Sequence, residues 1–145
     1  MTPQEIATKV VDLMYNNDPY SQWLGIERLK DYPGGSNLRL KVRQEMLNGF
    51  GIGHGGITYS LADSALAFAS NSHGRKSVSV ETSISHLKPI HADDVLTTKV
   101  EEVSLTNKIG VYHITVVNQK AEKVALFKGT VYRTSKTWLD GLTDI

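Results

Sequence analysis

The sequence predicts an α+β domain in which one curved antiparallel sheet wraps around a single long helix. A chain of 145 residues is long enough for one domain with its own core, and residues 1–145 are expected to form that single domain. The long helix is predicted over residues 57–70, which contain no Gly or Pro and are apolar nearly all the way round. Such a helix should be buried. The sheet is predicted from long segments of alternating polarity that are joined by short turns.

The N-terminal part of the chain predicts a helix followed by a hairpin. Residues 3–15 place apolar side chains at helical spacing, with Thr2 as the expected N-cap and Pro3 at the first helical position. Residues 1–20 are therefore expected to form a helix and a turn. A strand should then reach about residue 31, and a Gly- and Pro-containing turn should join it to a second strand over residues 38–43.

Beyond the long helix the chain predicts only strands and a tail. The alternating segments are residues 78–85, 95–103, 109–118 and 124–134. Because short turns join them, we expect an antiparallel meander in which each strand pairs with the next. Residues 135–145 show no periodicity and are expected to form a loose tail, with Trp138 and Leu139 able to dock.

Composition excludes several classes of function. The net charge is only +1 and the charged residues are scattered, so we expect no nucleic-acid partner. The sequence contains no cysteine, which excludes disulfides and thiolate metal sites and is typical of a reducing compartment. No apolar run approaches the ~20 residues of a membrane span, and the N-terminus lacks the pattern of a signal peptide. We therefore expect a cytoplasmic protein with no membrane partner.

The apolar character of the long helix predicts an oligomer. A helix that is buried on every side needs cover on two sides, and a single curved sheet supplies cover on only one. A second copy of the chain is expected to cover the other side, so the protein should be at least a dimer.

The glycine-rich stretch before this helix leaves two interpretations open. Gly51, Gly53 and Gly56 match G-x-G-x-x-G, but a dinucleotide-binding fold needs parallel βαβ units, which this chain does not predict. The glycines could simply allow a tight turn. Alternatively, Gly55 and Gly56 could present free backbone N–H groups at the helix N-terminus, where they would stabilise a developing oxyanion.

Asp63 is the acidic residue in the middle of the long helix. An unpaired buried charge is costly, so this carboxylate should be paired, neutralised or functional. Asp63 lies about 12 Å along the helix from Gly55, too far to act on a carbonyl held by the amide of its own chain. Two antiparallel helices in a dimer would bring each Asp63 near the other subunit's glycine, which predicts a composite site. A structural acid bonded to nearby backbone is the alternative.

The other polar residues point to no metal site and no serine nucleophile. The histidines match no metal-ligand spacing, so we expect no metal: His54, His73, His86, His91 and His113. His86, His91 and His113 are expected to form ordinary hydrogen bonds in strands and loops, and His54 is distinguished only by its place in the glycine stretch. The chain lacks G-x-S-x-G, so Ser60 and Ser64 are interpreted as helix serines.

The motif around the long helix resembles that of the hotdog-fold acyl-CoA thioesterases of the phenylacetate-degradation type. The resemblance covers roughly residues 23–133. It rests on Asn48-x-x-Gly51-x-x-His54-Gly55-Gly56, Ser60-Leu61-Ala62-Asp63, Asn71-Ser72-x-Gly74, Leu87-x-Pro89 and Gly110-x-Tyr112. A hotdog fold is a curved antiparallel sheet around one long helix, so the resemblance implies the architecture that the segment pattern also predicts.

The resemblance also implies catalytic roles. Asp63 would be the carboxylate that attacks the thioester or activates water, and the Gly55 N–H of the opposite subunit would polarise the carbonyl. Asn48 would hold the water or the thioester oxygen, and Ser79 would lie beside the carboxylate. His54, with Gly56, would support the loop.

Substrate and partners are implied in the same way. The family acts on aryl-acetyl and related acyl-CoA thioesters without a cofactor, coenzyme A being part of the substrate, and its members form homodimers that pair into homotetramers. The positions near Asp63 themselves suggest an apolar acyl pocket formed by Tyr59, Leu66 and Ala67, in which medium or long fatty acyl chains stay an alternative. By charge alone, the candidates for contact with the coenzyme A phosphates are Arg75, Lys76, Lys88, Arg133 and Lys136.

Two other functions stay open at this point. A hotdog acyl-thioester dehydratase or hydratase would need a His–acid pair, for which His54 and Asp63 are the candidates. The third possibility is a non-catalytic acyl-CoA-binding dimer, against which the presence of Asp63 argues.

Overall fold

The structure is a computed structural model that describes residues 1–140. Its α-helices are α1 (Pro3–Asn16), α2 (Pro19–Leu24) and α3 (Gly55–Asn71), and a short 3₁₀ helix spans Gln44–Met46. The strands are β1 (Glu27–Tyr32), β2 (Gly35–Lys41), β3 (Arg75–His86), β4 (Val95–Leu105), β5 (Ile109–Val117) and β6 (Lys123–Thr137).

The strands form one 6-stranded sheet in the order β1-β2-β4-β5-β6-β3, and every neighbouring pair is antiparallel. The predicted four-strand meander is wrong, because only β4, β5 and β6 follow one another. Helix α3 connects β2 to β3 and carries the chain across the sheet, so β3 pairs with β6 at the far edge. Alternation along a strand identifies its faces but carries no information about its partner.

Helix α3 lies against the sheet and contacts all six strands, which confirms the predicted architecture. Its opposite side is covered partly by α1 and α2: the Tyr15 ring packs edge-on against Phe68, and the Ser21 and Ser64 hydroxyls are 2.8 Å apart. The expectation that only a second copy could cover this side is therefore wrong. What stays uncovered is a narrow strip of α3 that contains Asp63.

Helix α2 is the element that the sequence prediction missed. Asp18 caps it by accepting a hydrogen bond from the Ser21 N–H, Pro19 occupies its first turn, and Gly25 ends it in the left-handed conformation. These are ordinary start and stop signals of a helix, in a segment where the sequence prediction has only a turn and the approach to the first strand.

The tail predicted to be loose over residues 135–145 is ordered as far as the structure describes it. Strand β6 extends to Thr137, and the backbone N–H of Trp138 donates to the Gly74 carbonyl at 2.7 Å. Residues 141–145 lie outside the described residues.

Asn71 connects the end of α3 to the start of β3 and to this tail. Its side chain is 3% exposed. The amide nitrogen donates to the carbonyls of Ala67 and Ser77, and the amide oxygen accepts from the Ser77 N–H and from the indole N–H of Trp138. One buried amide therefore satisfies backbone groups of two elements.

Replacing Asn71 by Ala should lower the free energy of unfolding by about 2–4 kcal/mol, because buried donors and acceptors lose their partners. Urea unfolding measures this difference. Asn16→Ala, a change of an exposed side chain in the last turn of α1, is the matched control and should cost no more than about 0.5 kcal/mol. Equal effects of the two substitutions would contradict the role assigned to Asn71.

Candidate active site

The glycine-rich stretch folds into a small loop whose glycines serve different purposes. Gly51 has a φ of +78°, a conformation that favours glycine. The Gly53 N–H donates to the Ile90 carbonyl at 2.6 Å, and a Cβ atom on Gly53 would lie 2.1 Å from Ile90 Cγ1. At these two positions the conformational interpretation of the glycines is sufficient.

The next residues begin α3 and leave one backbone donor free. His54 is the N-cap, and its Nδ1 accepts a hydrogen bond from the Gly56 N–H at 3.0 Å. The Gly55 N–H, by contrast, has no hydrogen-bond partner within residues 1–140. A free N–H in the first turn lies at the positive end of the helix dipole, so it is suited to bind an oxyanion.

A cavity of about 310 Å³ opens beside this donor. It contains three predicted site residues, Asn48, Gly55 and Lys88. The Asn48 side-chain oxygen accepts from the Phe50 N–H at 2.9 Å, which fixes the side chain in the loop. Lys88 also forms an ion pair with Glu122. The structure thus brings the predicted carbonyl-binding residues together.

His86 borders the same cavity, and sequence reasoning missed it. Its Nδ1 is 3.3 Å from the Thr58 hydroxyl, and its Nε2 would be 3.2 Å from a Cβ atom on Gly55. The available signal was its place on β3: Thr82, Ile84 and His86 alternate along the strand face that packs against α3.

Asp63 lies in a second, smaller cavity of about 70 Å³. Ser79 and the predicted acyl-pocket residues Leu66 and Ala67 line it too. Asp63 and Gly55 belong to the same helix, eight positions apart, and they border different cavities. The described chain therefore does not bring the carboxylate to the free amide.

The position of Ser79 corrects the predicted alternation of β3. A β-bulge lies between Ser79 and Glu81, so Ser79 lines the Asp63 cavity. Val78 and Val80 are 54% and 61% exposed, although they stand at the apolar positions of the alternating segment 78–85. One extra residue in a strand changes which alternate side chains point to the core, so the pattern before the bulge is the opposite of the pattern after it.

Several predicted substrate-binding residues lie in neither cavity: Tyr59, Arg75, Lys76, Arg133 and Lys136. Tyr59 packs edge-on against Phe127 and its hydroxyl contacts Thr82. Arg75 donates to Asn107, and the Lys76 ammonium lies 4.8 Å from the centre of the Trp138 ring. Arg75 and Lys76 are thus at the end of α3 opposite to Gly55.

The Asp63 carboxylate forms neither a salt bridge nor a hydrogen bond within the described part of the chain. The alternative of a structural acid bonded to nearby backbone therefore finds no support there. Burial raises the pKa of Asp63 above the ordinary value of 3.8, because the surrounding protein disfavours the charged form. Within residues 1–140, no three His, Cys, Asp or Glu side chains are grouped to hold a metal ion, and no helix is long and apolar enough to span a membrane.

Comparison with known proteins identifies the class of enzyme. Residues 50–125 match the thioesterase superfamily. A putative esterase of Archaeoglobus fulgidus is 38% identical over 132 residues, which cover 91% of this chain and 86% of that protein. The acyl-coenzyme A thioesterase PaaI of Escherichia coli is 39% identical over 124 residues, covering 86% of this chain and 89% of that protein.

Two solved structures are similar to this chain. That of the E. coli PaaI protein from the phenylacetic acid degradation operon matches with a TM-score of 0.91 at 36% identity, covering 94% of this chain and 99% of that one. A hypothetical thioesterase protein of Streptococcus pneumoniae, solved with coenzyme A, matches with a TM-score of 0.74 at 30% identity, covering 77% of this chain and 88% of that one.

The fold is therefore the hotdog fold of thioesterases, as the sequence motif implied. The chain belongs to the thioesterase superfamily and is a thioester hydrolase.

The raised pKa of Asp63 leads to an expectation for stability. A carboxyl group whose pKa is higher in the folded state than in the unfolded state destabilises the fold at a pH where the group is ionised in both states. Asp63→Asn should therefore be at least as stable as the parent at pH 7, and its advantage should shrink as the pH falls towards 3.8. Urea unfolding at several pH values checks this.

Asp93→Asn is the control for this measurement. Asp93 is exposed and faces Lys41 at 3.7 Å, so its replacement should change stability by no more than about 1 kcal/mol. If Asp63→Asn were clearly less stable than the parent at pH 7, the carboxylate would have a structural role after all.

Proposed function

We propose that this protein hydrolyses acyl-CoA thioesters to the free acid and coenzyme A, with aryl-acetyl groups such as phenylacetyl as preferred acyl chains. The observation that carries the proposal is the Asp63 carboxylate, which lies on the uncovered strip of α3, has a pKa raised by partial burial and has no partner among residues 1–140. The names of the relatives support the substrate class: one is an acyl-coenzyme A thioesterase, and one structural neighbour was solved with coenzyme A. No cofactor is required, and an acyl-CoA substrate is consistent with a cytoplasmic enzyme.

In the proposed mechanism Asp63 either attacks the thioester carbonyl carbon or removes a proton from an attacking water. The Gly55 N–H stabilises the negative charge that develops on the carbonyl oxygen. The carbon–sulfur bond then breaks, and the coenzyme A thiolate leaves and takes up a proton. When water attacks, this step yields the free acid directly. When Asp63 attacks, it leaves a mixed anhydride between the acyl group and Asp63, which water then hydrolyses to the free acid and the regenerated carboxylate. Asn48 holds the water or the carbonyl oxygen, and Ser79 donates to the carboxylate. His54 keeps the loop in place through its hydrogen bond to Gly56.

Two subunits are required for this mechanism. Gly55 and Asp63 are separated by about 12 Å along one helix and border different cavities. Strand β3 is a sheet edge whose second side is unpaired within the described chain, and it exposes Val78 and Val80. A dimer in which the β3 edges pair would cover these residues and set each Asp63 opposite the other subunit's Gly55. Such dimers would pair into a tetramer.

The acyl group would occupy the apolar surroundings of Asp63. Leu66 and Ala67 line that cavity, and Tyr59 lies one turn earlier on α3. Lys88 borders the Gly55 cavity and is the best placed of the predicted cations for a coenzyme A phosphate. Arg75 and Lys76, at the other end of α3, would reach the phosphates only across the assembled dimer.

The hydratase alternative has less support. It requires His54 to exchange protons with the substrate beside Asp63, but His54 Nδ1 already accepts the hydrogen bond that caps α3.

Thiol release from a panel of acyl-CoA thioesters tests the proposed function. Phenylacetyl-CoA and its ring-hydroxylated forms should have a higher kcat/KM than octanoyl-CoA. Asp63→Asn should lower turnover by about 10³-fold or more, because the nucleophile or general base is lost while the fold is kept. A preference for octanoyl-CoA would refute the aryl assignment, and near-parental turnover by Asp63→Asn would refute the catalytic role.

The composite site is tested by subunit complementation. Gly55→Val should be inactive, because its Cβ would meet the His86 ring at 3.2 Å and its methyl groups would fill the cavity. A mixed dimer of Asp63→Asn and Gly55→Val has one site with both residues intact. Random exchange makes about half of the dimers mixed, so about a quarter of parental activity should return on mixing. Differently tagged chains verify the exchange, and verified mixed dimers without activity would place the whole site within one chain.

A further inference from the structure

The backbone N–H groups at the start of α3 provide only part of an oxyanion-binding site. The Gly56 N–H is already bonded to His54 Nδ1, which leaves the Gly55 N–H as the free donor at this helix end. Oxyanion-binding sites usually combine several donors on one oxygen, and each contributes strongly to the rate. A further donor close to Gly55 would therefore matter for catalysis.

The imidazole of His86 is placed to supply that donor. A Cβ atom built on Gly55 would lie 3.2 Å from His86 Nε2 and 3.3 Å from its Cε1, so the edge of the ring faces the Gly55 Cα. Both residues line the 310 Å³ cavity, together with Asn48. An oxygen atom bound by the Gly55 N–H in this cavity would have the Nε2 edge of the ring as a neighbour.

Thr58 can select the protonation state that such a donor needs. Its hydroxyl lies 3.0 Å from the Gly55 carbonyl oxygen and 3.3 Å from His86 Nδ1. When the hydroxyl donates to Nδ1, the proton of the neutral imidazole resides on Nε2. When it donates to the Gly55 carbonyl, a neutral imidazole that donates from Nδ1 to the hydroxyl oxygen carries no proton on Nε2. The first arrangement is therefore the one that directs an Nε2–H at the cavity.

We propose that His86 is a catalytic residue whose Nε2–H donates a second hydrogen bond to the thioester carbonyl oxygen beside the Gly55 N–H. The proposal rests on the thioesterase function proposed above and adds a residue that the sequence motif did not contain. The carbonyl oxygen becomes more negative as the carbonyl carbon is attacked, so the donor strengthens its bond at that step and mainly raises kcat.

Three variants test this role. His86→Leu should lower kcat for phenylacetyl-CoA by about 10²-fold while KM changes less than about threefold. His86→Gln, whose side-chain amide can donate from a similar place, should recover at least a tenth of the parental kcat. His113→Leu is the matched control: His113 is exposed on β5 outside both cavities, and its loss should leave kcat unchanged. Thermal unfolding checks that each variant is folded.

A spectroscopic measurement separates hydrogen bonding from a structural effect. In the slow Asp63→Asn background, phenylacetyl-CoA labelled with ¹³C at the carbonyl should remain bound long enough for difference infrared spectroscopy. The carbonyl stretch should shift to lower frequency on binding, and adding His86→Leu should remove part of that shift.

The outcomes are distinguishable. A parental enzyme that releases no thiol from any acyl-CoA would refute the proposed function and this inference together. An active parent with an unchanged kcat in His86→Leu, a change in KM alone, or an unaltered carbonyl stretch would refute only the role of His86.

Discussion

The close approach of Gly53 to Ile90 is the contact on which the geometry of the site depends. The Gly53 N–H reaches the Ile90 carbonyl at 2.6 Å, and any side chain there would overlap Ile90. Two hydrogen bonds fix the following residue, His54. Its backbone N–H donates to the Met46 carbonyl, and its ring Nδ1 accepts from the Gly56 N–H. These contacts set the direction in which α3 begins and thereby the place of the Gly55 amide. The glycine-rich stretch thus serves a structural purpose first, and its chemistry follows from it.

Much of this arrangement could be predicted from the sequence because its signals are local. The start of α1 at Thr2 and Pro3, the long apolar α3 and the alternating strands are all set by residues close together in the chain. The separation of Gly55 and Asp63 is local too, since it follows from the helical rise alone. For that reason the sequence alone predicts that the two residues do not meet within one chain.

The remaining features depend on contacts between residues far apart in sequence. Nothing near β3 indicates that its partner is β6, and nothing in its alternation marks the bulge that turns Ser79 towards Asp63 and leaves Val80 exposed. His86 reaches Gly55 only because β3 lies against α3. The docking of Trp138 on Asn71 joins residues 67 positions apart. Patterns that specify the face of an element do not specify which element packs on that face.

The separation of donor and carboxylate has an electrostatic consequence. Within one chain Asp63 is open to solvent at the uncovered strip of α3, so folding requires only partial dehydration of its charge, and the pKa is already raised. In the proposed dimer the second subunit would exclude more water, which raises the proton affinity of the carboxylate further. It would also bring in the donors at the start of the partner helix, which stabilise the negative charge that develops on the bound thioester oxygen. A carboxylate of this kind becomes a stronger base at the same moment that the carbonyl-binding donors arrive. Dimer assembly would therefore do more than bring the site residues together, because it would also raise the pKa of the carboxylate that acts as the base.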